Sequence, residues 1–137
     1  MTLDDLAASL PNGLHDAELR AVNIDFVRGV ARLDLDIWIG DEFEREAYRN
    51  ARIELSRLLF WITEPPDPRY PFAEHGGLRI AAGPLTEDTP KNRPSLPPVP
   101  PDRFANWIFV TDWNAFIFVA AGDASLEWLG ERINRDR

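Results

Sequence analysis

The sequence predicts a mainly β protein of the α+β class, a single antiparallel β-sandwich or open barrel with one short N-terminal helix and a long Pro-rich loop. Three observations predict it. Apolar and polar residues alternate with a period of two over much of the first half of the chain, as in half-buried strands. The last third is rich in branched and aromatic residues, which strands favour. Eleven of the 12 prolines lie between Pro65 and Pro101, where they interrupt regular elements.

The N-terminal helix is predicted over Leu3 to Leu10. Thr2 is a suitable N-cap, and Asp4 and Asp5 suit the positive end of the helix dipole. Pro11-Asn12-Gly13 then ends the helix.

A β-hairpin is predicted next. Residues 22–26 alternate between apolar and polar, and Arg28-Gly29 is a plausible tight turn. The alternation from Arg32 to Ile39 is the clearest strand pattern in the chain, and it places Asp34, Asp36 and Trp38 on the polar face.

The middle of the chain is harder to interpret. Ala47 to Thr63 fits both a strand and a helix face, and its β-favouring end predicts a strand that is disrupted near Ser56-Arg57. Leu78 to Ala81 is predicted to add a short edge strand.

The C-terminal third predicts a second hairpin. Phe104 to Thr111 and Ala115 to Ala121 are apolar enough to be buried on both faces, with Asp112-Trp113-Asn114 between them. Alternation resumes from Ala124 to Trp128, for a total of five to seven antiparallel strands.

The Pro-rich stretch, residues 84–102, could link two small domains or lie as a long loop across one. We favour the loop, because each flank is too small to form its own core. Residues 1–137 are therefore predicted to form a single β-rich domain.

Charge and composition exclude several classes of partner. The chain carries 23 acidic and 15 basic residues, a net charge of −8, which disfavours binding to nucleic acid or to an anionic membrane. No cysteine is present, which excludes a disulfide, a thiolate nucleophile and a zinc ribbon but does not indicate the compartment. No targeting signal or apolar stretch of membrane-spanning length occurs, so a cytoplasmic protein is predicted. A basic protein partner remains compatible with this charge.

Signatures of catalysis are weak. Asp16 could orient His15 as in a catalytic triad, but Gly-x-Ser-x-Gly is absent, and a structural role where the chain enters the sheet is favoured. His75 falls in a Gly-rich turn.

The acidic loop from Gly40 to Glu46 lacks the spacing of a calcium site, and phosphate-binding loops are also absent. No cofactor and no metal are predicted, and an enzyme is not favoured.

Two tryptophans stand at unusual positions. Trp113 falls in a predicted turn, where it either folds back over the sheet, which we favour, or anchors a ligand or partner. Trp38 lies on the polar face of its strand and needs a cover, from the Pro-rich loop or from another chain.

Three short stretches near the two ends of the sequence resemble a group of bacterial proteins. The run Leu14-His15-Asp16-Ala17-Glu18-Leu19, together with residues 110–116 and 120–124, resembles small bacterial proteins of unknown function. Some of their relatives resemble immunity proteins of polymorphic toxin systems. The resemblance implies a compact β-rich cytosolic protein, and it supplies no catalytic residues.

The sequence thus predicts a non-enzymatic protein-interaction module, of the kind that could inhibit a basic partner as an immunity protein does. The alternative is a small-molecule binding protein or an enzyme without a recognised signature, with a pocket near His15 and Asp16 or near Asp112 and Asn114. A homodimer that hides Trp38 or the strand edges is a third hypothesis. The candidate binding residues are Asp34, Asp36, Trp38, Asp41, Glu42, Trp113, Asn114, His15 and Asp16.

Overall fold

A computed structural model of the chain describes residues 1–41, 47–69, 77–86 and 96–134. The strands of these residues form one antiparallel sheet in the order β4-β7-β6-β5-β1-β2-β3-β8. The predicted mainly β, antiparallel fold with one short N-terminal helix is confirmed, and the sheet is not closed into a barrel. The elements are α1 Leu3–Ala8, β1 Ala17–Asp25, β2 Val30–Trp38, β3 Ala47–Ser56, β4 Phe60–Thr63, β5 Leu78–Pro84, β6 Phe104–Val110, β7 Ala115–Ala121 and β8 Asp123–Asn134.

The sheet is curled because two short connections join its opposite ends. β4 is the first strand in this order and β3 is the seventh of eight, yet only residues 57–59 separate them in sequence. In the same way, Gly122 alone connects β7, the second strand in the order, to β8, the last. A flat sheet of this size would be about 33 Å wide at ordinary strand spacing, whereas three residues span at most about 14 Å. The two ends of the sheet must therefore lie close together.

Hydrogen bonds continue across this corner. The Gly122 N–H donates to the Ser56 carbonyl oxygen at 2.9 Å, and the Leu59 N–H donates to the Ala120 carbonyl oxygen at 2.8 Å. Arg57 turns the chain with a left-handed φ of 53°. The predicted disruption near Ser56-Arg57 is confirmed, and it is the point at which one long two-stranded ribbon bends.

The inner face of the curled sheet holds the hydrophobic core, and α1 packs against it through Leu3 and Leu6. The N-cap predicted at Thr2 is confirmed, and Thr2 forms a capping box with Asp5 as its second member. Asn106, fully buried on β6, donates from its amide nitrogen to Asp4 Oδ1 at 2.9 Å and to the Gly83 carbonyl oxygen at 3.0 Å. This pair of hydrogen bonds fixes the helix to the sheet. No helix of the described residues is long and apolar enough to cross a membrane.

The predicted C-terminal hairpin is confirmed, and both of its faces carry apolar side chains. On the outer face Phe116 contacts Phe109 edge to face, with ring centroids 4.9 Å apart, and stacks on Phe118 at 5.7 Å. Trp107 also meets Phe116 edge to face, at 6.1 Å. Its ring lies directly over Gly83 of β5, where a Cβ would come within 2.4 Å of Trp107 Cζ2.

Two expectations about the strands are wrong. β5 is not a short edge strand over Leu78 to Ala81, because it continues to Pro84 and lies between β1 and β6. Proline is tolerated at its end because β1 pairs only with Leu78, Arg79 and Ile80. The described part of the sheet also has eight strands rather than five to seven, because the predicted segment Ala47 to Thr63 forms two strands, β3 and β4, on either side of the bend.

Replacement of Gly83 by alanine should destabilise the fold by about 1–3 kcal/mol, the usual cost of overpacking, because the new Cβ collides with Trp107. Gly130→Ala on β8 is the matched control, since its nearest neighbour would be Asn50 Cβ at an ordinary 3.7 Å. Urea unfolding measures both free energies. Equal stability of the two variants would contradict the close packing of β5 against Trp107.

Candidate functional site

The outer face of β1, β2 and β3 carries a network of charged and amide side chains. Arg20 donates from Nε to Asp36 Oδ2 at 2.7 Å and also from Nη2 to the same oxygen. Asn50 donates from Nδ2 to Asp34 Oδ1 at 2.8 Å and to Asp36 Oδ1 at 3.2 Å. The hydrogen bond to Asp36 is the main cause that raises the pKa of Arg20, so this buried carboxylate faces a permanent cation.

A β-bulge brings Arg20 to this position. Leu19 pairs with Leu35 and Ala21 with Asp34, which leaves Arg20 as the extra residue of β1. A bulge turns its residue out of the regular alternation. Arg20 is thereby placed where it reaches the carboxylate of the neighbouring strand.

These contacts change the interpretation of the polar face of β2, where the sequence suggested residues that could bind a basic partner. Asp34, Asp36 and Trp38 do share the outer face of β2, but Asp36 is only 4% exposed and is paired with Arg20, so it cannot be a surface contact for a basic partner. Asp34 is half-buried and bonded to Asn50. Trp38 is half-buried, Asp41 is exposed, and Glu42 lies outside the described residues.

A polar cleft of about 470 Å³ next to this network has mixed charge. Arg32 pairs with Glu54 at 3.1 Å, while the Arg52 side chain has no hydrogen bond or ion pair within the described part of the chain. The cleft therefore does not present a uniformly acidic surface. Its described lining residues are Ala21, Asn23, Arg32, Asp34 and Arg52.

The residues around the predicted His15 and Asp112 pockets have structural contacts. His15 is exposed and lies 3.4 Å from the Asp16 carboxylate, and the Asp16 N–H donates to the Ile80 carbonyl oxygen at 3.0 Å. The Asp112 carboxylate accepts the Arg79 N–H at 2.8 Å. Among the described residues, no group of three or more carboxylate or imidazole side chains could hold a metal ion.

Trp113 and Asn114 form the end of the 3₁₀ turn between β6 and β7. Trp113 folds back against the core, as favoured from the sequence, and its Nε1 is buried with no hydrogen-bond partner among the described residues. Asn114 is exposed and adopts a left-handed φ of 48°. The pKa of the nearby Asp67 lies below its usual value, chiefly because Arg69 hydrogen-bonds the carboxylate and to a smaller extent because of Asn114.

An apolar slot opens where β1 leaves β5. The two strands pair only as far as Leu19 with Leu78, and beyond that point a cavity of about 290 Å³ separates β1 from β4 and β7. Neither His15 nor Asp112 is among its described lining residues. Those residues are Leu19, Arg20, Ala21, Val22, Trp61, Thr63, Leu78, Trp113 and Ile117.

Sequence reasoning missed an exposed apolar pair at the tip of the first hairpin. Phe26 was expected to continue the strand, but it lies in the turn with 85% of its surface exposed, next to Val27 at 98%. The turn is braced, because Asp25 Oδ1 accepts the N–H groups of Val27 and Arg28, each at 3.0 Å. The usable signal was a Phe-Val pair directly before Arg28-Gly29.

Comparison of the chain with protein-family models, with curated proteins and with solved structures finds no match. The resemblance to immunity-like proteins therefore stays a prediction.

The Arg20–Asp36 pair allows a test of the network. Arg20→Gln should lower the free energy of unfolding by about 3 kcal/mol, the lower end of the range for a broken buried pair, because water reaches the arginine side chain. Adding Asp36→Asn should recover most of the loss, since no buried charge then remains. Urea unfolding of both variants measures this; an Arg20→Gln protein as stable as the unaltered chain would show that Asp36 does not need the cation.

Proposed function

We propose that the chain is a non-enzymatic protein-binding module, which inserts Phe26 and Val27 at the tip of the β1–β2 hairpin into an apolar pocket of a basic partner. In this role it would act as an immunity-type inhibitor that binds and blocks its partner.

The exposure of the two tip residues is the observation that carries this proposal. Exposed fractions of 85% and 98% leave almost the whole of both side chains in water. Burying such side chains gains roughly 1.5–3 kcal/mol each. An aromatic residue that fills a partner's pocket is the usual centre of a protein interface.

The rigidity of the turn favours binding. The Gly29 N–H donates to the Asp25 carbonyl oxygen at 2.9 Å, and the Gly29 carbonyl oxygen accepts the Leu58 N–H at 2.9 Å. The second bond fixes the tip to the corner of the sheet, where Leu59 adds a third exposed apolar side chain. A preorganised tip loses little conformational entropy when a partner binds it.

The net charge supports a basic partner, although Asp34 and Asp36 do not provide the contact surface. Asp34 and Asp36 are engaged within the protein, so the net charge of −8 would act at a distance. Such a field increases the rate at which a positively charged protein associates, and added salt weakens the effect. Residues 14–19 resemble small bacterial proteins, some of whose relatives resemble immunity proteins, and this resemblance motivates the inhibitor role without specifying the partner.

The test is photo-crosslinking in the organism that encodes the chain. A benzophenone side chain at position 26 should crosslink one partner, while the same group at position 99, another exposed apolar site, should not. With the purified partner, Phe26→Ser combined with Val27→Ser should raise the Kd at least about 30-fold, as expected for a hot spot.

Val99→Ser is the matched control and should leave the Kd within twofold. The association rate constant should also fall as salt is raised. Equal crosslinking at positions 26 and 99, or a Kd that the double variant does not change, would contradict a role for the hairpin tip.

A further inference from the structure

The slot between β1 and β4 has the composition of a small-molecule site. Two indole rings, Trp61 and Trp113, line it together with Leu, Val and Ile side chains. Polar groups are few: Arg20 and Thr63, with Thr63 accepting the Trp61 Nε1–H at 3.1 Å. Ligand sites are commonly lined by apolar and aromatic side chains, with a small number of polar groups that orient the ligand.

Trp113 contributes its indole ring to the slot. Its Nε1 has no hydrogen-bond partner among the described residues, and it is buried although the slot beside it is open. A molecule in the slot would therefore pack against the ring and would not reach this N–H.

Arg20 supplies a cation at the same slot. Its Nε and Nη2 both donate to Asp36, and no acceptor is recorded for Nη1 within the described residues. The side chain remains 40% exposed. Its free N–H groups can therefore bind a carboxylate on a molecule whose apolar part lies between the indoles.

We propose that this slot binds a small aromatic carboxylate. The ring would pack against Trp61 and Trp113, and the carboxylate would accept hydrogen bonds from Arg20. The volume of about 290 Å³ suits one or two fused rings. The slot is formed by other residues than the hairpin tip, so the proposal does not depend on the protein-binding role.

Titration of the full chain with 2-naphthoate tests the proposal, with two-dimensional NMR of the tryptophan side-chain N–H signals as the measurement. The Trp113 signal, identified by its loss in Trp113→Phe, should shift and saturate with a Kd of about 1 mM or tighter, as expected for a ligand of this size. The Trp107 signal, on the outer face, should not move.

Three variants and one neutral probe complete the test. Val22→Trp fills the slot and should abolish the shift, while Ile24→Trp, on the same strand but not among the described lining residues, should retain it. 2-Naphthamide should bind at least about tenfold more weakly than 2-naphthoate. Arg20→Gln with Asp36→Asn, which leaves no buried charge, should weaken naphthoate about tenfold and leave naphthamide unchanged.

No Trp113 shift at 10 mM probe, or a shift that persists in Val22→Trp, would overturn the site. Equal affinity for the acid and the amide would overturn the carboxylate as the ligand class. If 2-naphthoate binds in the slot but the hairpin tip crosslinks no partner, this inference stands and the proposed function does not. The two experiments use different variants, so the two failures can be told apart.

Discussion

The bend at residues 57–59 and Gly122 determines the form of the whole sheet. Arg57 is held in a left-handed conformation, which costs a non-glycine residue about 1–2 kcal/mol. It passes so close to Gly122 that a Cβ there would lie 2.8 Å from Arg57 Cβ. The hydrogen bonds of Leu59 and Gly122 across the corner offset that cost. Without the bend at residues 57–59 and Gly122, nothing in the strand order would bring β4 and β8 to the same side of the molecule.

The curl also produces the features from which we infer function. It surrounds one apolar core with the sheet and leaves the β1–β2 hairpin projecting at the corner, where Leu58 braces its tip through Gly29. Farther along the hairpin, β1 pairs with β5 over three residues only, and the bulge at Arg20 lies just beyond the last pair. The apolar slot and the Arg20–Asp36 contact both arise at this point.

Local pattern predicted much of the fold and little of the site. Alternation along β2 identified the strand that carries Asp34 and Asp36, and apolar content identified both strands of the β6–β7 hairpin. The pattern could not show that Arg20 bulges toward Asp36 or that β5 lies inside the sheet, because pairing between distant strands decides both. The slot draws Val22, Trp61 and Ile117 from three separate strands, and no motif links them. Phe26 was assigned to a strand because alternation alone does not locate a turn.

The central claim is that β3–β4 and β7–β8 form one continuous bent ribbon. Amide hydrogen exchange at the corner tests this claim most directly. The N–H groups of Leu59 and Gly122 should exchange as slowly as those of the central strands, because each is bonded across the corner. The Phe26 N–H at the exposed tip is the reference for a fast amide. Exchange of Leu59 and Gly122 at the rate of Phe26 would contradict the continuous ribbon, and with it the curled sheet.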